Sequence, residues 1–246
     1  MTVPGGRAQV ADQASVDLYW LPLGAGDAGR CVRGSGRLYE AFRATRHHRA
    51  RLHLYHSALI VRLDGHAHAI EMAPVWTADG QGPGVVSEGP VGSPSWGRSR
   101  LFRYEVRCWR DGTIPDAPTA VDSPRRVSRS SPQANQVLRL VESFPTATWG
   151  RDEQQAGDMW NSNSLTAWLL ALSGHDVSST ALQPPAGGAA PGWSAGLVVA
   201  ARALAGQACS SEGGSAGWTD QFGGSSLPDS SSCSASAAVA WTLPDV

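Results

Sequence analysis

Two places in the chain carry residue types suited to nucleophilic or acid–base chemistry. The first is a pair, His56 and Glu71, on either side of the dipeptide Asp64-Gly65. An imidazole titrates near neutral pH and can take or return a proton, and a carboxylate beside it fixes its tautomer. The second is the polar run Asn161-Ser162-Asn163-Ser164, directly before the apolar stretch Leu165–Leu172. Asn and Ser are strong helix N-caps, because their side-chain oxygens accept the free N–H groups of the first turn. The same position suits a nucleophile, since the N-terminal end of a helix offers positive potential and backbone N–H groups to an oxyanion. On residue types alone both readings of Ser162 stand, cap and nucleophile.

The elements that must position these residues follow from periodicity. Leu52–Leu63 is apolar and β-branched, and it is joined by Asp64-Gly65 to His66–Ala73, a strong short-range hairpin signal. A two-residue turn sets Leu63 opposite His66, Ala58 opposite Glu71 and His56 opposite Ala73. Alternation then puts His56, Ala58 and Ile60 on one face with Ala69, Glu71 and Ala73, so that His56 and Glu71 are diagonal neighbours. Strands are also predicted at Val16–Leu21, Val85–Ser87 and Leu101–Trp109. Helices are predicted at 36–44, at 132–144 after Ser131-Pro132, at 160–173 before Gly174, and at 193–205. The stretch from Ile114 to Ser131, rich in Pro, Ser and Arg, reads as a linker.

A His on a strand, an acidic residue on the paired strand, and then an Asn-Ser-Asn-Ser run opening an apolar helix resemble the permuted papain-like fold. This is the group of NlpC-type amidases and relatives of lecithin:retinol acyltransferase, whose nucleophile sits in an Asn-Cys type motif. The likeness covers roughly residues 16–205. It implies an α+β fold, circularly permuted papain-like, with a small, mainly antiparallel sheet packed by helices. It further implies hydrolysis or acyl transfer at an amide or ester bond. In that scheme Ser162 attacks in the place of Cys, His56 is the base, Glu71 orients it, and Asn161, Asn163 and Ser164 cap the helix and supply the oxyanion site. None of the four cysteines, Cys31, Cys108, Cys209 and Cys233, lies in the motif. A Ser hydroxyl does not ionise as a thiol does, so its proton must be removed during attack. The alternative is a fold of the same kind without hydrolysis, binding a small ligand or a protein partner in that cleft.

Composition narrows the field. The 246 residues carry 20 basic and 21 acidic side chains for a net charge of −1, which disfavours a nucleic-acid partner. The 28 Gly and 16 Pro indicate a loop-rich chain. The cysteines have neither zinc spacing nor the density of a disulfide framework, and His66-x-His68 lacks a third ligand, so no metal and no cofactor is expected. The basic run 43–51 reads as a solvated connector, the alternative being a patch for an anionic partner. The ten Trp residues suit core packing, or the wall of a hydrophobic or sugar-binding cleft. No leader is recognisable and no apolar stretch reaches the ~20 residues of a membrane span, so a cytoplasmic protein with no membrane partner is expected, acting on a small-molecule or peptide substrate. The pattern specifies no oligomeric state. Residues 1–15 form a polar lead, 16–205 the domain, and 206–246 a low-complexity tail, with ten serines between Ser210 and Ser236, expected to be disordered.

Overall fold

The computed structural model describes residues 14–24, 48, 50–75 and 83–212. Seven strands run in chain order: β1 (Ser15–Pro22), β2 (His53–Leu63), β3 (His66–Pro74), β4 (Val85–Pro90), β5 (Arg103–Arg110), β6 (Arg125–Ser128) and β7 (Gly188–Ala189). Among the described residues three α-helices follow the sixth strand: α1 (Ser131–Leu140), α2 (Ser162–Leu172) and α3 (Trp193–Glu212). The sheet has the order β4-β5-β3-β2-β1-β6, antiparallel throughout, and the short β7 pairs parallel with the start of β2. The architecture is α+β, an open and mostly antiparallel sheet with helices.

The central hairpin has the register its turn dictates. Asp64 and Gly65 take φ of 49° and 86°, the left-handed pair of a type I′ turn, whose twist matches that of the strands. Leu63 is therefore paired with His66, Ile60 with Ala69 and Leu59 with Ile70. From this register the two faces of the sheet separate. Leu18, Trp20, Tyr55, Leu59, Val61, Ile70, Met72, Tyr104 and Val106 point to one side, where they meet Val137, Trp160, Leu165, Trp168 and Leu169 in the main core. All three helices contribute to that side, and α2 and α3 pack closely on one another because Gly196 lets the chains approach: a Cβ there would lie 2.3 Å from the Ser164 carbonyl oxygen. Trp20, Trp160 and Trp168 are thus core residues.

The opposite face carries a smaller cluster. Leu21, Ala58, Ile60 and Ala69 are covered by Ile114, with Ala117 and Ala120 beside it. The cover is the irregular chain that follows β5, the first part of what reads as linker in sequence. The remainder of that stretch forms β6, which pairs with β1. Helix α3 continues to Glu212, past the expected end of the domain at 205. The helix expected at 36–44 and most of the basic run 43–51 lie outside the described residues, as do the lead up to residue 13 and the chain from 213 onward.

Candidate functional site

The start of α2 is a closed network of hydrogen bonds. Asn161 is the N-cap: its Oδ1 accepts from the Asn163 amide at 2.9 Å, and its own amide donates to Ser164 Oγ at 3.1 Å, a complete capping box. Asn161 Nδ2 donates to the Pro191 carbonyl at 2.8 Å, and Ser164 Oγ donates to the Gly192 carbonyl at 2.8 Å. Gly192 has φ of +89°, and a Cβ there would fall 2.3 Å from Asn161 Oδ1, so the loop before α3 closes on the cap through a glycine. Asn163 ties the helix to the sheet. Its Nδ2 donates to the carbonyls of Tyr55 (2.9 Å) and Pro191 (2.8 Å), and its Oδ1 accepts from Ser57 Oγ at 2.8 Å. All four residues of the run are buried, with Ser162 only 2 % exposed.

His56 does not face this network. Successive strand residues point to opposite sides, and it is Ser57 that meets α2. His56 therefore belongs to the second face, with Glu71. Among the described residues no hydrogen bond joins His56 to Ser162 or to Glu71. The expected convergence of Ser162, His56 and Glu71 is accordingly corrected: two of the three share a face, and the third lies on the other side of the sheet. The expected oxyanion role of the Asn163 amide meets a second obstacle, since that N–H is already engaged by its own cap. Cys108 offers no substitute nucleophile. Burial above all, with the Glu142 charge adding to it, pushes its thiol up to about 11, so it is protonated at neutral pH.

On the second face, β5 supplies what the sequence reading left out. Glu71 pairs with Arg107 across the sheet. Arg107 Nη1 donates to Glu71 Oε1 at 3.3 Å, and its Nε donates to Glu105 Oε2 at 2.8 Å. Glu105 has no exposed surface, and it is held from its other oxygen by Arg100 at 3.1 Å. Asp116, on the covering chain, completes the group. Its charge acts on both His56 and Glu71, and its carboxylate makes no hydrogen bond among the described residues. Burial pushes the His56 imidazole down to about 4, against a smaller upward pull from Asp116. The ring is neutral at pH 7, with one nitrogen a donor and the other an acceptor. Burial likewise raises the Glu71 carboxyl above its ordinary range; Arg107 opposes this and Asp116 adds to it.

The signal that could have found Arg107 and Glu105 is strand alternation. Once Tyr104, Val106 and Cys108 are assigned to the core side, the charged residues between them must line the other. Asp116 has no such signal, because it lies on irregular chain. The remaining histidine pair is placed apart from this group. His66 contacts Arg110 and lies 3.6 Å from Asp111, and His68 Nδ1 is buried without a partner. Among the described residues no three His, Cys, Asp or Glu side chains come together in a metal-binding arrangement, and no helix is long and apolar enough to cross a membrane. Comparison with protein-family models, with curated proteins and with solved structures returns no match for the chain.

Proposed function

We propose that the protein is a binding module on an α+β scaffold whose elements follow permuted papain-like order, and that it does not hydrolyse its ligand. The order of elements supports the scaffold: the start of α2 docks on β2 at Tyr55 and Ser57, beside His56, where a papain-like enzyme would bring its helix and its base together. One observation carries the reading of function. At that contact stands the pair Ser57–Asn163, hydrogen-bonded at 2.8 Å, while His56 is turned to the other face. A Ser hydroxyl without a base in reach is a poor nucleophile at neutral pH. The residues of the helix start are buried, and Asn161, Asn163 and Ser164 are bonded within the fold, so the binding surface is assigned to the second face, where His56, Glu71 and Asp116 keep hydrogen-bonding capacity that the fold does not consume. A small polar ligand fits a neutral imidazole flanked by two carboxyl groups and the Arg107 guanidinium.

The test has two arms. A serine-directed phosphonate should leave Ser162 unlabelled, and the thiol of Ser162→Cys, buried and without a base, should alkylate no faster at pH 6–7 than an ordinary thiol of pKa ~8.5. In an NMR fragment screen, polar fragments should shift the His56 ring resonances and lose that effect in Glu71→Gln. Labelling of Ser162 that disappears in His56→Ala would instead establish the Ser-His-Glu hydrolase or acyltransferase.

A further inference from the structure

The hairpin of β4 and β5 ends in a twelve-residue tip, 91–102, which presents three large apolar side chains to solvent: Trp96 is 56 % exposed, Leu101 57 % and Phe102 45 %. Such a group is expected to collapse inward unless something holds it out. Here the tip is braced. Short helical turns at Pro94–Arg98 and Arg100–Phe102 fold it back on itself. Arg103 Nε donates to the Gly97 carbonyl at 2.6 Å, and Gly97 lies so close to Pro90 that a Cβ would come within 2.8 Å. The base is clamped where Val91 donates to the Phe102 carbonyl and Gly92 to the Trp149 carbonyl, at 2.8 and 3.0 Å. Trp96 and Phe102 pack on each other with ring centroids 5.4 Å apart. The display of apolar surface is therefore a built feature.

Its charge is one-sided. The tip contains Arg98 and Arg100 and no acidic residue. Arg98 is exposed and makes no ion pair or hydrogen bond among the described residues, and Arg151 reaches over the base to the Gly92 carbonyl at 2.9 Å. No carboxylate pairs with Arg98 among the described residues. Glu105 and Glu88 hold Arg100 and Arg103 beneath the tip, Asp152 accepts from the amides of Ala156 and Gly157, and Glu153 accepts from Thr148. Trp and Phe partition to the boundary between lipid headgroups and acyl chains, and arginines beside them are drawn by anionic headgroups. A projecting hairpin tip can enter that boundary without a shaped receptor, whereas three side chains are too few for a stable protein interface, which needs ~800 Å² from each partner.

We infer that the 91–102 tip is a docking surface for an anionic lipid bilayer, with Trp96, Leu101 and Phe102 entering the interface and Arg98 meeting the headgroups. This is contact with a membrane surface, not a crossing of it, and it is independent of the ligand site on the second face.

The experiment is flotation of the whole chain with vesicles of equimolar phosphatidylglycerol and phosphatidylcholine, against vesicles of phosphatidylcholine alone. About tenfold more protein should float with the anionic vesicles, and the excess should fall as salt is raised. Leu101→Ser/Phe102→Ser and Arg98→Glu should each abolish it while leaving the circular dichroism spectrum and Tm unchanged. Trp96→Phe should keep flotation but remove the quenching of Trp fluorescence by brominated lipid. Equal flotation with both vesicle types, no flotation, or flotation that survives both variants would overturn the proposal. So would a dimer in solution that the same variants dissociate, which would make the tip a protein contact.

Discussion

The two faces of the sheet are closed by different means. Three helices bury one face, and the side chains of Asn161, Asn163 and Ser164 at the start of α2 are all held there by hydrogen bonds. Among the described residues, the stretch around Ile114–Ala120 covers the other, over a small cluster, and it leaves His56 and Asp116 without hydrogen bonds. The difference shows how polar groups in comparable surroundings serve different ends. Asn163 and Ser57 are buried because they complete one another. His56 and Glu71 are partly buried although their ionised forms are disfavoured there, an expense that packing alone does not require.

Neighbouring residues of β2 give the largest contrast. Leu59 and Ile60 are of similar size and are both buried, but they lie on opposite faces. Leu59→Ala should cost about 4 kcal/mol, near the top of the range for such truncations, and Ile60→Ala about 2, because thin irregular cover can settle into the cavity more easily than packed helices can. Urea unfolding with a constant m-value measures both. Equal losses would mean that the second face is as rigidly packed as the first.

Next in size is Asn163→Ala. It strands Ser57 Oγ and the Tyr55 carbonyl in a buried place, so a loss of about 2–3 kcal/mol is expected in the same assay. A loss below about 0.5 kcal/mol would place this network among dispensable surface bonds.

A pH effect comes third. The folded state holds the His56 imidazole near 4, below its ordinary 6.5, so the unfolded chain binds the proton first. Stability from this group is complete above about 6.5 and is lost as pH falls toward about 4. His175, also lowered by burial, acts in the same direction. Glu71 acts in the opposite one, since its raised carboxyl favours the folded state at low pH and loses that advantage as pH rises through its folded value. His56→Gln should therefore flatten the rise in Tm between pH 4 and 6.5, and an unaltered profile would show that His56 titrates normally.

Asp116→Asn should have the smallest effect on stability, within about 0.5 kcal/mol, because its carboxylate makes no hydrogen bond among the described residues. Its effect belongs in NMR titrations: both the His56 and the Glu71 pKa should move down, since the Asp116 charge pulls both up. Unchanged values would remove Asp116 from the site.

Much of this arrangement is legible from the chain alone. The Asp64-Gly65 turn leaves one register open to the hairpin, and that register puts His56 with Glu71 on one face. The apolar run after Asn161 and the Gly174 stop define α2 within a residue or two. What escapes is the pairing of face with layer. Nothing in the order of residues tells which side of β2 receives the helices, and that choice decides between His56 and Ser57 as the neighbour of α2. It depends on long-range packing of Trp20, Leu59 and Ile70 against helices far along the chain. The strand β6 and the covering residues Ile114 and Asp116 are hidden for a related reason. They lie in a stretch rich in Pro, Ser and Arg whose local pattern is that of a linker, and only pairing with β1 and contact with the second face give it structure.

The central claim is that Ser57, and not His56, is the partner of the α2 N-terminus. A double-mutant cycle tests it most directly, by measuring the coupling free energy between His56→Ala and Ser162→Ala beside that between Ser57→Ala and Asn163→Ala. Coupling of about 1 kcal/mol or more is predicted for Ser57 with Asn163, and none beyond about 0.3–0.5 kcal/mol for His56 with Ser162. A coupling above about 1 kcal/mol between His56 and Ser162, with none between Ser57 and Asn163, would contradict the account and restore the Ser-His pair.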